Sequence, residues 1–167
     1  MRILIVSDAW APQVNGVVTS LQALVSELRA MGHLVKLLSP QDFGYLPCPS
    51  YPEIPLAWDL WRVGPAIRDF RPDCVHLATE GPLGWSAVAA ARKLGIPVTS
   101  GFHTNFDHYS VHYGLGWMRP AVAAYLRMLH RRTCATMVPT EALAAELAGA
   151  GIPGVRVVGR GVDTGQF

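Results

Sequence analysis

Apolar residues follow two alternating patterns along the chain. Short runs of β-branched residues, the first of which is Arg2–Val6, are typical of parallel strands that are buried on both faces. Longer stretches place apolar residues at every third or fourth position and therefore predict helices with one buried stripe. The first such helix starts at Gly16, and its predicted stripe is Val17, Leu21, Leu24, Leu28 and Met31.

The alternation continues to the end of the chain and predicts a doubly wound parallel α/β sheet of the Rossmann-like class. The other predicted strands are Leu34–Ser39, Asp73–Ala78, Val98–Ser100, Thr136–Val138 and Val155–Val158. The other predicted helices are Trp58–Phe70, Pro82–Leu94, Trp117–Thr133 and one that begins after the N-cap residue Thr140. The stretch Pro40–Pro55 holds five prolines and is predicted to be an irregular surface loop.

Composition limits the class of protein. The chain has 167 residues, of which 50% are hydrophobic and 16% charged, enough for one α/β domain with a substantial core. No apolar run approaches the roughly 20 residues of a membrane helix, and the first residues predict a strand rather than a secretory signal. We therefore expect a cytoplasmic protein. A net charge of +2 gives no reason to expect a nucleic-acid partner.

Polar loops follow several of the predicted strands. In a parallel sheet the carboxyl ends of the strands share one edge, and ligands bind beyond that edge. A dinucleotide cofactor is excluded, because no G-x-G-x-x-G follows the first strand and the second strand ends at Ser39-Pro40 without an acidic residue. No motif or cysteine spacing indicates a metal site.

Asn15 and Gly16 form the first candidate site, at the start of the first helix. Gly16 would let a phosphate or sugar approach the backbone, and the helix N-terminus would stabilise negative charge. The alternative is an ordinary helix start capped by Asn15, and the sequence does not decide between the two. Asp8, in the same loop, either binds a hydroxyl-rich ligand or braces the loop.

The second candidate is the segment from Glu80 to Gly84, which follows the third predicted strand of the sheet. Glu80 can hydrogen-bond hydroxyl groups, and Gly81 allows a ligand to approach closely. The alternative is a tight strand-to-helix turn, which is favoured when the segment is considered in isolation.

The third and densest candidate is the segment 103–109, HTNFDHY, directly after a predicted buried strand. Its polar side chains His103, Asn105 and Asp107 are interleaved with Phe106 and Tyr109, as suits a sugar-binding wall. The histidines have no clear helical register, so the segment is a poor metal site.

A basic group lies on or near the helix predicted over Trp117–Thr133. It can touch an anionic membrane surface or form a solvated helix face, and the second alternative is favoured. Its members are Arg119, Arg127, His130, Arg131 and Arg132.

Taken together, these loops resemble the retaining GT-B glycosyltransferases of family 4, also called group 1. The resemblance runs in family order over essentially the whole chain and is closest to the α-mannosyltransferase and the sulfoquinovosyl- or glucosyl-transferring branches. Its motifs are SDAWAPQVNGVVTSL (7–21), HLATEGPLG (76–84), GFHTNFDHY (101–109), VPTE (138–141) and GRGVDTGQF (159–167).

The resemblance implies that residues 1–167 form the N-terminal, acceptor-side domain of a two-domain enzyme. It implies that Asn15, Gly16 and Arg160 contact the nucleotide-sugar donor, and that His103 contacts the donor sugar and stabilises the transition state. The implied acceptor side is lined by Asp8, Glu80, Gly81, Asn105 and Tyr109.

The family's donor-binding C-terminal domain is absent from this sequence. The resemblance therefore implies a fragment that is inactive alone, within an enzyme that transfers mannose from GDP-mannose, or glucose from UDP-glucose, to a lipid or saccharide. No metal or other cofactor is expected, and a lipid acceptor allows peripheral contact with the inner face of a membrane. Two other hypotheses remain: a stand-alone module that binds a nucleotide or sugar phosphate, and a subunit that pairs with a separate donor-binding chain.

Overall fold

The structure, a computed structural model, describes residues 1–13, 15–48, 51–102 and 119–159. Its strands are β1 (Arg2–Val6), β2 (Leu34–Leu38), β3 (Tyr45–Cys48), β4 (Tyr51–Ala57), β5 (Cys74–Leu77), β6 (Val98–Gly101), β7 (Ala135–Val138) and β8 (Val155–Val157). Its α-helices are α1 (Gly16–Ala30), α2 (Val63–Phe70), α3 (Pro82–Lys93), α4 (Arg119–His130) and α5 (Glu141–Gly149).

Six strands form one parallel sheet in the order β2-β1-β5-β6-β7-β8. β1 lies inside the sheet, where Ile5 pairs with Leu37 of β2 on one side and with His76 of β5 on the other. The near-continuous apolar sequence of β1 fits this position, because both faces of the strand are covered. The predicted doubly wound α/β class is confirmed.

Alternate residues of β1 point into two separate cores. Leu4 and Val6 pack in the cluster that α2 and α3 cover, whereas Ile3 and Ile5 pack in the cluster beneath α1. A third cluster lies under α4 and α5 and includes Phe102, which directly follows β6. The helices therefore cover the sheet and leave the carboxyl ends of its strands to the connecting loops.

The buried face of α1 matches the predicted stripe in part. Leu21 is buried, and Val17 and Leu28 pack against the same core, as expected. Val18 and Val25 are also buried, whereas Leu24 and Met31 are 39% and 70% exposed. Apolar residues occur in adjacent pairs in this helix, so two faces offset by one residue, about 100° apart, satisfy the same period. Packing against β1 selects the second face.

The prediction of an irregular loop between Pro40 and Pro55 was wrong. After a 3₁₀ turn at Pro40–Asp42, β3 and β4 pair as an antiparallel hairpin. Proline removes a hydrogen-bond donor and is tolerated only at sheet edges. Each strand of a two-stranded ribbon is an edge strand, so the prolines do not prevent strand formation here.

The predicted helix over Trp58–Phe70 begins later than expected, since α2 starts at Val63 and is preceded by a 3₁₀ turn at Leu60–Arg62. The Asp59 carboxylate explains the delay. It accepts a hydrogen bond from the Gly44 N–H (2.9 Å) and forms an ion pair with Arg62 (2.9 Å). These contacts tie the segment to the hairpin. At the other end of the chain the predicted N-cap is confirmed, because the Thr140 hydroxyl accepts from the Leu143 N–H.

Candidate functional site

The strand order reverses at β1, since the chain runs from β1 to β2 on one side and then returns to β5 on the other. In doubly wound sheets this reversal opens a crevice beyond the carboxyl ends of the two central strands, where ligands bind. Asp8 follows β1 and Glu80 follows β5. Two of the predicted site residues therefore lie at this crevice.

Asp8 joins the two loops. Its backbone N–H donates to the Thr79 hydroxyl (2.7 Å), and that hydroxyl in turn donates to Asp8 Oδ2 (3.0 Å). The other carboxylate oxygen, Oδ1, accepts from the backbone N–H of Leu83 in the first turn of α3 (3.0 Å). Of the two roles considered for Asp8, the geometry supports bracing, although the brace reaches the neighbouring loop rather than its own.

Burial raises the pKa of the Asp8 carboxyl above its usual 3.8. The hydrogen bonds from Leu83, Thr79, Gly84 and Gly81 act in the opposite direction without cancelling this effect. Loss of water disfavours the charged form, whereas donors at a helix N-terminus favour it. The brace is thus a buried carboxyl whose charged form is disfavoured by burial, an effect that the donors at the start of α3 reduce.

Gly81 and Gly84 allow the loop after β5 to pack tightly. A Cβ added at Gly81 would lie within 3.0 Å of the Asp8 carboxylate, and one added at Gly84 would lie 2.7 Å from the Thr79 carbonyl oxygen. Contacts within the chain therefore explain why glycine occupies both positions, and this supports the tight-turn alternative for the segment. Pro82 occupies the first turn of α3, as predicted.

Glu80 is buried, with 6% of its surface exposed. Its carboxylate oxygen Oε1 has no hydrogen-bond partner and lies 3.5 Å from the Nε2 atom of His130. Its backbone carbonyl oxygen accepts a hydrogen bond from the Tyr125 hydroxyl of α4. The main chain of Glu80 is therefore hydrogen-bonded to α4, and its side chain lies next to the same helix.

His130 does not belong to the predicted surface group of basic residues, because its side chain is fully buried. Its Nδ1 atom lies 2.8 Å from the Ser100 hydroxyl of β6. Reasoning from the sequence grouped it with neighbouring arginines, although it follows the buried Leu126 by one helical turn, which was the available signal. Arg132 of the same group packs over the Trp85 ring, 5.3 Å from its centroid.

Asn15 caps α1, as expected for the alternative of an ordinary helix start. Its side-chain oxygen accepts from the backbone N–H groups of Val17 (3.1 Å) and Val18 (3.0 Å). Gly16 differs from the glycines of the β5 loop, because a Cβ added there would meet no atom within 4 Å. No packing contact among the described residues requires a glycine at this position, and the start of α1 is open to a neighbouring group.

Four predicted site residues, His103, Asn105, Tyr109 and Arg160, lie outside the described residues. In the sequence, the segment that holds the first three follows directly after the buried Phe102, at the carboxyl end of β6.

The described part of the chain holds no cluster of three or more histidine, cysteine or acidic side chains that could bind a metal ion. Within the same residues, no helix combines the length and the apolar character that a bilayer crossing requires.

Comparison with solved structures supports the fold. The structure of Anabaena Alr3699/HepE in complex with UDP-glucose aligns with 98% of this chain and 44% of its own, with a TM-score of 0.57 and 14% sequence identity. At that identity the similarity concerns the fold alone. It is the fold of one domain of a GT-B glycosyltransferase, as the sequence predicted.

Curated relatives are similar over most of the chain. The GDP-mannose-dependent alpha-mannosyltransferase of Mycobacterium tuberculosis is 32% identical over 100% of this chain and 49% of its own length. The sulfoquinovosyl transferase SQD2 of Arabidopsis thaliana is 29% identical, with 92% and 34% covered. The alpha-monoglucosyldiacylglycerol synthase of Streptococcus pneumoniae is 32% identical, with 75% and 32% covered. The chain spans about half the length of the mannosyltransferase that it matches.

The model of Glycosyltransferase Family 4 matches residues 14–166. This range begins beside the cap of α1 and includes the loop after β5, which contains Glu80. With a Rossmann-like sheet and a family match over nearly its whole length, the chain belongs to Glycosyltransferase Family 4.

Proposed function

We propose that this chain is the N-terminal, acceptor-side domain of a two-domain retaining glycosyltransferase. The enzyme transfers a hexose from a nucleotide sugar to a lipid or saccharide acceptor. GDP-mannose is the first choice of donor and UDP-glucose the second. The names of the mannosyl-, sulfoquinovosyl- and glucosyl-transferring relatives support hexose transfer, and the half-length match supports a second domain.

One observation of the structure carries the proposal. The loops after β1 and β5 meet at the reversal of strand order, where the Asp8 carboxylate binds both Thr79 and Leu83. This brace fixes Glu80 at the crevice. A rigid, polar crevice edge is what a site needs in order to orient the hydroxyl groups of a sugar or polyol.

The donor side of the site is assigned to the start of α1. No atom of the described residues crowds Gly16 at the N-terminus of α1, so we infer that the donor diphosphate can approach the backbone N–H groups there, with Asn15 as their cap. Arg160 is proposed to contribute at the passage into the second domain. His103 is proposed to stabilise charge on the donor sugar in the transition state rather than act as a nucleophile.

The acceptor side is assigned to Glu80, Gly81, Asn105 and Tyr109. Glu80 directs Oε1 towards His130, which leaves Oε2 as the candidate partner of an acceptor hydroxyl group. Asp8 serves this side indirectly, since its carboxylate is occupied by Thr79 and Leu83. A lipid acceptor requires peripheral contact with a membrane, and we place the enzyme in the cytoplasm at its inner face.

The test is hexose transfer by the native-length polypeptide that contains this chain. GDP-[¹⁴C]mannose and UDP-[¹⁴C]glucose serve as donors, with 1,2-dioleoylglycerol in detergent micelles and methyl α-D-mannoside as acceptor probes. We expect labelled product, and we expect His103→Ala to abolish it at an unchanged melting temperature. The matched control is His33→Asn, because His33 precedes β2 at the opposite edge of the sheet.

Two outcomes count against the proposal. If neither donor yields product or free nucleotide above background, the transferase function is wrong. If His103→Ala transfers at the wild-type rate, His103 is not in the site. Tight binding of GDP or UDP by residues 1–167 alone would instead favour the stand-alone binding module, an alternative that the transferase relatives do not favour.

A further inference from the structure

We propose that His130 is a positioning residue for the acceptor side of the site: its ring links the Glu80 carboxylate to β6 and fixes the carboxylate at the crevice. The inference rests on the proposed function, because that function gives Glu80 its role. No motif of the sequence points to His130, and its importance follows from its contacts alone.

The His130 ring is held on three sides. Its Nδ1 atom lies 2.8 Å from the Ser100 hydroxyl and 3.3 Å from the Thr136 hydroxyl. The ring of Phe102 packs against it with centroids 5.5 Å apart. A fully buried ring with these contacts has one orientation, which directs Nε2 towards Glu80 Oε1 at 3.5 Å.

The hydroxyl groups around Nδ1 also determine where the ring must carry a proton. Oε1 of Glu80 and Nε2 of His130 are both buried, and neither has a hydrogen-bond partner among the described residues. A buried carboxylate oxygen without a donor is costly, so we assign a proton to Nε2, which then faces Oε1 across 3.5 Å. Ser100 can then donate to Nδ1 while its oxygen remains in contact with Thr133 (3.2 Å). This assignment follows from the hydrogen-bond network.

Ser100, His130 and Glu80 are connected in the manner of a nucleophile, a base and an acid, but their burial excludes that chemistry. Ser100 is 1% exposed and lies within β6, so its hydroxyl cannot reach a substrate. These contacts therefore position the ring and the carboxylate and take no part in nucleophilic catalysis.

The same contacts join two loops of the site. Glu80 lies in the loop that follows β5. Ser100 lies in β6, and the segment that begins at His103 follows this strand in the sequence. Tyr125, five residues before His130 on α4, adds a hydrogen bond to the Glu80 backbone carbonyl oxygen. Through these contacts α4 holds the Glu80 loop in a fixed position relative to β6.

The experiment compares variants of the native-length enzyme with GDP-mannose and the two acceptor probes named above. His130→Asn keeps a polar group near Nδ1 for Ser100 and removes the atom that faces Glu80. We expect the acceptor KM to rise about tenfold, which corresponds to the ~1.4 kcal/mol of one hydrogen bond, with the donor KM within about twofold of wild type. His130→Gln places an amide N–H near the former Nε2 and should restore most of the acceptor affinity.

Two further measurements distinguish positioning from stability. In a Glu80→Gln background, His130→Asn should cause no additional rise in acceptor KM, because both changes break the same contact. In the ¹⁵N-histidine-labelled 167-residue chain, the His130 signals should show a proton on Nε2. If His130→Asn fails to fold, Ser100→Ala, which keeps the ring, replaces it with the same expected split between acceptor KM and donor KM.

The inference is overturned if His130→Asn leaves the acceptor KM unchanged, if donor and acceptor KM rise equally, if its effect adds in full to that of Glu80→Gln, or if Nε2 carries no proton. Absence of transfer by the wild-type enzyme has a different meaning, since it overturns the proposed function itself. His33→Asn remains the control and should match wild type in both KM values.

Discussion

Asp8 is the residue on which the geometry of the crevice depends most directly. Its carboxyl is buried between two loops, and its hydrogen-bond donors all come from the segment that contains Glu80. The sequence indicated that a polar group at this strand end mattered, but not which partner it has. Thr79 and Leu83 are distant from Asp8 along the chain and reach it only because β5 pairs with β1.

The raised pKa of Asp8 predicts a pH-dependent contribution to stability. Because the folded protein favours the protonated carboxyl, this contribution is fully present below about pH 4, the unfolded pKa, and declines as the pH rises through the raised folded-state pKa. Asp8→Asn cannot titrate. The free energy of unfolding of wild type minus that of Asp8→Asn should therefore fall over this range in urea titrations. A difference that grows with pH would contradict the stated environment of Asp8.

Gly81→Ala should destabilise the domain by about 2 kcal/mol, the scale of overpacking in a well-packed interior. The added methyl group would overlap the Asp8 carboxylate, which cannot withdraw without losing its bonds to Thr79 and Leu83. The control is Gly16→Ala, where the methyl group meets no atom and alanine favours the helix by up to ~1 kcal/mol. Equal unfolding free energies for the two variants would show that Gly81 is not tightly packed.

At the scale of secondary-structure elements, α1 combines a structural role with a proposed functional one at its N-terminus. Asn15 satisfies two backbone N–H groups, while Gly16 leaves the surrounding space open. A charge at the cap position separates the two roles, because aspartate caps a helix as well as asparagine does but repels a diphosphate.

Asn15→Asp should therefore keep the melting temperature near that of wild type and raise the donor KM of the native-length enzyme for GDP-mannose. Asn15→Ala should instead lower stability by about 1 kcal/mol through loss of the cap. Thermal unfolding and donor kinetics measured on both variants check these expectations. An unchanged donor KM in Asn15→Asp would show that the diphosphate does not bind at the start of α1.

Most strands and helices followed from apolar periodicity, and the failures have physical causes. The hairpin of β3 and β4 was missed because proline is a poor signal for a strand that has only edges. The rotation of α1 was missed because adjacent apolar residues fit two faces equally well. The Glu80–His130 contact was not predictable, because it depends on how α4 crosses the sheet.

At the scale of the whole molecule, we propose that the site forms one wall of a cleft. The crevice lies beyond β1 and β5, and this chain spans about half the length of the mannosyltransferase relative of Mycobacterium tuberculosis. Resemblance to the family, rather than periodicity, predicted a second domain, because nothing in an apolar pattern records a neighbour outside the sequence. The proposed function assigns the acceptor side to this chain and the donor side mainly to a second domain.

Hexose transfer from GDP-mannose, measured in one assay for the 167-residue chain and for the native-length polypeptide that contains it, tests that claim most directly. We expect labelled product from the longer polypeptide and none above background from the 167-residue chain, because we propose that a second domain mainly holds the donor. Transfer by the 167-residue chain at a rate comparable to that of the longer polypeptide would contradict the account, because the chain would then hold donor and acceptor by itself.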